Sequence, residues 1–357
     1  MKKTIASFAI LSLMLSASAL AKPAQKFDSK ELVRMGLFPP GFQPLTFMDE
    51  QMTLLALDEP TLEQKKTGVT QRVWQIKLDK GYKFVSSSHY DLKLPRLEQV
   101  KLTADKKSLL MSYKRGASLD KLDLATGKVT PIMEHVQGQA GFRLDPGVIF
   151  SHAGKNYGLG YRYDSEDRCD PPSVGELDLT KTGAEVFVPL HEITPMHAGI
   201  VRLSATSIHD PEAAVFVQSG KKGEGRVVRW TPALPKPEIV DTGVRYGGMW
   251  GEDEFALFGM KHGNRNYDLI LVNAKTGDKK VVAHSELPLT NPVLAPGGVS
   301  WAGLEEQVKG SFNIIGGNAK GKVVLDELQL PSVLRLGTLG QTVVSFSPNG
   351  LKFYKLP

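Results

Sequence analysis

Ser118–Ile132 reads SLDKLDLATGKVTPI. Leu119, Leu122 and Leu124 are apolar with polar residues between them, Ala125-Thr126-Gly127 turns the chain, and Val129 and Ile132 run back. Alternating polarity on both sides of a glycine turn is the signature of a β-hairpin. The glycine supplies the positive φ that a tight turn needs. The same unit recurs along the chain: VWQIKLDKGYKFV at Val73–Val85, GELDLTKTGAEVFVPL at Gly175–Leu190, VVRWTPALPKPEIV at Val227–Val240, YDLILVNAKTGDKKVV at Tyr267–Val282 and FNIIGGNAKGKVVL at Phe312–Leu325. The chain stops with LKFYKLP at Leu351–Pro357, which reads as one arm of a further hairpin.

Successive hairpins lie about forty to fifty residues apart, and a strand-containing repeat of that period predicts the blades of a propeller. Two shorter apolar runs precede each hairpin, giving four strands per repeat. Counting them gives an all-β chain with a single seven-bladed β-propeller, with six blades as the alternative because the last two repeats are the least regular. The terminal repeat, Leu334–Leu336, Thr342–Phe346 and Leu351–Leu356, has three strands. Its fourth is expected from the N-terminal leader, near Leu32–Met35. Such closure removes the open sheet edges that invite aggregation.

At 41% hydrophobic and 23% charged, with 35 Gly and 22 Pro, the chain has a globular, turn-rich composition. Met1–Ala21 reads as a secretory signal: Lys2 and Lys3, an apolar run over Ile5–Leu15, and small residues at Ala19 and Ala21. Residues 22–40 form a polar leader broken by Pro39 and Pro40, and residues 41–357 form the propeller. A cleaved signal places the protein in the periplasm or outside the cell. Its removal takes two lysines and no acid, so the formal charge falls from +6 to +4. So mild a charge argues against nucleic acid, which calls for a dense basic stripe. No later apolar run is long enough to span a membrane. Cys169 is alone, so core burial must hold the fold without an internal disulfide.

The repeats resemble the β-propeller class in the broad sense that includes WD-repeat, TolB-like and related bacterial propellers. The likeness covers about Gln43–Pro357 and rests on strand period and on turns such as Ala125-Thr126-Gly127 and Lys275-Thr276-Gly277. The Trp-Asp pair of WD repeats and the Ser-x-Asp-x-Gly box of sialidases are both absent.

The resemblance implies that the first strand of each blade lines a central channel. Aligning the repeats on that basis puts Arg143, Arg202, Arg245 and Arg335, each followed by Leu or Tyr, at or just before the start of that strand, with Arg96 as a fifth. Five guanidiniums at one mouth would bind carboxylate or phosphate, whose geometry matches the planar fork. The plainer alternative pairs each Arg with a carboxylate of a neighbouring blade, or lays its stem over apolar surface. A long loop around Tyr157–Ser173 is expected on the same face, with Asp164, Glu166, Asp167 and Asp170 as weak candidates for a hard cation and stronger ones as Arg partners or recognition residues. No cofactor is expected.

Of eight histidines, none falls in a metal-binding or metalloprotease spacing. His89, His197 and His284 are expected in links between blades, and His197, near Arg202, is the best acid–base candidate. His209-Asp210-Pro211 reads as a turn. There is no nucleophile elbow, and Gly220–Gly225 lacks the spacing and ending of a phosphate loop. The four tryptophans read as packing between blades. The sequence therefore predicts an exported binding or scaffold propeller, recognising a protein partner or an anionic envelope polymer. The alternative is a lyase or hydrolase acting on an acidic glycan. A quinone-dependent dehydrogenase is a third possibility that no residue selects.

Overall fold

The computed structural model describes residues 26–27, 43–48, 52–58, 62–80, 84–95, 97–134, 136, 138–166, 168–193, 202–219, 225–262, 266–307, 311–318, 320–328, 335–339, 341–347 and 350–357. Seven antiparallel four-stranded blades follow one another around a ring. Blade one contains Gln43–Met48, Thr53–Asp58, Gln71–Leu78 and Phe84–Leu92. Blade two contains Leu97–Leu102, Ser108–Tyr113, Ser118–Asp123 and Val129–Glu134. In blade three the strands are Gly141–His152, Lys155–Tyr163, Ser173–Leu177 and Phe187–Glu192. The long strand Glu238–Glu252 serves twice. Its first half pairs with Gly225–Trp230 as the outer strand of blade four, and from Arg245 it pairs with Phe255–His262 as the inner strand of blade five. Blade seven is completed by Lys26–Phe27, which pairs with Lys352 and Leu351. The ring is therefore closed by the N-terminal segment, as the three-stranded terminal repeat predicted, and the count is seven, not six. The expected position near Leu32–Met35 lies outside the described residues.

The first strands of successive blades contact one another all the way round, blade seven meeting blade one, so these are the innermost. Burial falls outward from them. The second strands of blades one and two, TLLALD and SLLMSY, are buried at every position because a neighbouring blade covers each face. The outer strand Phe84–Leu92 is exposed or half-buried along almost its whole length. The core is divided into clusters lying between blades. Leu55, Val73 and Leu92 of blade one meet Leu97, Leu109 and Met111 of blade two. Trp230 packs against Phe150 and Tyr157 of the preceding blade, and Trp301 joins Leu257 and Leu269. Trp230, Trp250 and Trp301 thus do pack between blades.

The template turn shows why the repeat is legible. Asp123 Oδ1 accepts from Ala125 N (3.0 Å) and Thr126 N (2.8 Å), and Gly127 sits at φ +72. Asn273 Oδ1 does the same for Lys275 N and Thr276 N, with Gly277 at φ +84. The preceding blade reaches for the same carbonyl in both cases. Gln75 Nε2 of blade one donates to Leu124 O (2.7 Å), and Arg229 Nη1 of blade four donates to Ala274 O (3.1 Å) and Lys275 O (2.8 Å). The hairpin unit therefore carries its own docking point for the neighbouring sector.

The charged stretch after Asp58 contains a short helix, Leu62–Lys66, and Asp58 and Arg72 belong to strands joined by a buried, two-pronged ion pair at 2.9 and 2.5 Å. Two local expectations are corrected. The long loop of blade three begins at Asp164, because Lys155–Tyr163 is a strand bonded on both edges. His209 and Asp210 lie in the strand Arg202–Asp210; the turn is made by Pro211 and Glu212.

Candidate functional site

All inner strands run in one direction along the ring axis, so their first residues share one face. Arg202 and Arg335 are the first residues of their inner strands, Arg143 the third of its own, and Arg245 the first residue of the blade-five half of its strand. Their ladder partners on the second strands are Ser219, Phe346, Tyr161 and Lys261. The backbone thus brings four of the five expected arginines to one mouth of the channel. Arg96 lies outside the described residues, immediately before the inner strand of blade two. Asp164–Pro172 joins the second and third strands of blade three and so stands on the same face.

The side chain of Arg143 lies among described residues. Its Nε donates to Arg115 O at 2.7 Å, and no described carboxylate pairs with its guanidinium. Arg115 belongs to the loop between the second and third strands of blade two. There Lys114, Arg115 and Gly116 have φ of +55, +58 and +76. Two consecutive non-glycine residues in the left-handed region are strained by about 1–2 kcal/mol each. Glu98 holds them there, its carboxylate accepting from Arg115 N (2.7 Å) and Gly116 N (3.0 Å). Gly116 cannot be otherwise, since a Cβ would lie 1.8 Å from Leu144 O. The strain fixes Arg115 beside Arg143. Between them opens a cleft of about 400 Å³, whose wall includes Asp145, Leu159, Tyr161 and Pro172.

Asp145 begins an irregularity in the inner strand of blade three. Leu144 pairs with Gly160 and Ile149 with Gly158, so four residues face one. Such a bulge re-aims side chains, here at the cleft. Burial raises the Asp145 carboxyl above the usual carboxylate range. Asp145 and Arg115 were not singled out from sequence. The Asp145-Pro146-Gly147 break inside a strand and the Lys114-Arg115-Gly116 turn were the available signals.

At the far end of the inner strands the channel carries a second group of titratable side chains, also missed. Lys101, His209 and Glu252 come from blades two, four and five. His209 and Glu252 are half-buried, whereas Lys101, though crowded by protein, remains exposed to solvent. Burial depresses the His209 ring to about 3, with the charge of Lys101 adding to the shift. Burial raises Glu252 to about 7, with Asp253 adding. Burial also lowers Lys101, and Glu252 partly opposes this. Aligning the blades one strand-length beyond the arginines would have found two of them: Arg202 precedes His209, and Arg245 precedes Glu252, at the same spacing.

The remaining candidates fall elsewhere. His197 and Asp167 lie outside the described residues. His89 and His284 are not in links facing the channel: both are on outermost strands, His89 against Trp74 with ring centroids 4.5 Å apart and His284 Nδ1 2.7 Å from Asp268 Oδ1. Asp164 caps its own loop, accepting from Glu166 N (2.8 Å) and Arg168 N (3.0 Å), and Arg168 bridges Asp164 and Glu166. Asp170 is exposed, and no group of metal-ligating side chains forms among the described residues.

No family model matches the chain, and no curated protein matches it in sequence. Solved structures do match in fold. An oligogalacturonate lyase in complex with manganese is similar over 90% of this chain and 92% of its own, at 14% identity and a TM-score of 0.60. A puromycin-hydrolysing peptidase of Mycobacterium tuberculosis is similar over 94% of this chain at 12% identity and a TM-score of 0.58, and this chain spans 56% of that protein. A β-propeller domain from Myceliophteria thermophila matches over 94% of this chain and 100% of its own, at 10% identity and a TM-score of 0.50. At such identities the likeness is one of fold, and fold does not carry function.

Proposed function

We propose that this is an exported binding propeller that recognises an anionic partner at the mouth where its inner strands begin. The observation that carries the reading is the register of the inner strands, which puts arginines from blades three, four, five and seven at equivalent positions. Converging guanidiniums repel one another unless an anion compensates them. In this reading the mouth is left short of its counter-charge, and the partner supplies it. Export rests on the leader sequence Met1–Ala21.

Reversing Arg202 and Arg245 to Glu should abolish binding of anionic ligands while leaving the circular dichroism and thermal midpoint of the propeller in place. Unchanged binding would remove the proposal. A second reading is favoured by Asp145: a half-buried carboxyl whose titration burial moves upward, in one cleft with two arginines and Tyr161, suits a proton donor in an enzyme on an acidic glycan. Product release from oligogalacturonate, the substrate class named by one structural neighbour, separates the two readings.

A further inference from the structure

The cleft between blades two and three has a chemistry narrower than "anionic". Its cationic end is Arg115 and Arg143, with no described carboxylate paired to either guanidinium. Its wall is aliphatic and aromatic: Leu159, Pro172 and the face of Tyr161. The polar side-chain atoms other than the guanidiniums are the Asp145 carboxyl and the Tyr161 hydroxyl. A uronate ring placed here would bring several hydroxyls to a wall with almost nothing to bond them. Each buried hydroxyl left unpaired costs about 1–3 kcal/mol. A carboxylate on an apolar body meets no such cost, and its body gains from leaving water.

The volume, about 400 Å³, lies near the low end for small-ligand sites, ~300–1,000 Å³, and holds a residue or two of a chain. Pro172 of the cleft wall ends the loop in which Ser165, Glu166, Arg168, Cys169 and Asp170 are exposed, so a chain leaving the cleft has surface to run along.

We infer that the cleft captures the C-terminal carboxylate of a partner polypeptide ending in an aliphatic residue, with Arg115 and Arg143 on the carboxylate and the side chain against Leu159 and Pro172. Terminal-carboxylate capture is a recurring mode of peptide recognition. This rests on the anion-binding reading above and names its ligand. The Asp145 carboxyl faces the bound carboxylate together with Arg115, Arg143 and Tyr161, and in its protonated form it donates a further hydrogen bond. Its raised titration keeps that form populated to higher pH than an ordinary aspartate would.

The test is fluorescence anisotropy with a labelled pentapeptide ending in leucine, as free acid and as amide, with trigalacturonate as competitor. The free acid is expected to bind at least about tenfold more tightly than the amide, since a charge-assisted pair contributes about 1.5–3 kcal/mol. Arg115→Gln, a change at an exposed loop position, should remove that preference. Asp145→Asn should flatten the pH dependence of acid binding. Equal binding of acid and amide, or a preference that survives Arg115→Gln, overturns the assignment. Trigalacturonate binding that depends on Arg202 and Arg245 but not on Arg115 also overturns it while leaving the broader function standing. Absence of binding by every anion takes both down.

Discussion

Glu252→Gln probes whether the far end of the bore is as enclosed as the strand arrangement makes it. Burial, with Asp253 adding its charge, raises this carboxyl from 4.5 to about 7. The unfolded chain therefore releases the proton first. Stability should fall as pH rises from 4.5 to about 7, because across that window the folded state holds the extra proton. At about 1.4 kcal/mol per pKa unit the full effect is ~3 kcal/mol, and residual solvent access reduces it to about 1–3 kcal/mol. His209 works with the opposite sign. Its ring is depressed from 6.5 to about 3, so the unfolded chain takes up a proton first on acidification, and stability rises as pH climbs from 3 to 6.5. In the native protein the two slopes oppose one another where the windows overlap. In Glu252→Gln only the His209 slope remains. Urea denaturation at steps from roughly pH 4 to 8 should show the stability of the variant, relative to the native protein, growing by about 1–3 kcal/mol across the Glu252 window. A difference that stays flat with pH would mean that Glu252 is solvated like a surface acid, and the enclosed bore would be refuted.

Other perturbations follow from the same structure. Arg72→Ala leaves Asp58 buried without its partner and should cost about 3–5 kcal/mol in chemical denaturation. Arg229→Ala removes the bonds to Ala274 O and Lys275 O that dock the blade-five hairpin on blade four, and should lower stability by about 2–4 kcal/mol. Amide exchange over Lys279–Ser285 is expected to rise with it. Gly127→Ala places a methyl 2.3 Å from Tyr90 Cδ1 at a φ of +72, and should cost about 1–3 kcal/mol, read as a lower thermal midpoint. Deleting Lys26 and Phe27 unpairs the edge at Leu351 and Lys352, and should lower the thermal midpoint and promote association on heating, followed by light scattering.

The sequence by itself determined the hairpin unit, its repetition and the closed ring. Those are local or periodic properties. Asp123 and Gly127 specify a turn through atoms a few residues apart, and alternation of apolar residues fixes which face of a strand is buried. The arginines at the inner-strand starts were legible for the same reason, since a repeat of fixed period maps sequence position onto radial position. Only the tertiary structure decided what converges across blades. Arg115 and Arg143 lie in different repeats and meet because Glu98 holds a strained loop against Leu144. Lys101, His209 and Glu252 share a bore although the first and the last lie three blades apart along the chain, and their titration is set by surroundings that no single strand possesses. In sequence Asp145-Pro146-Gly147 is only an irregularity, and the partner strand makes it a bulge beside a cleft, because whether an irregularity ends a strand or bends it depends on the strand next to it.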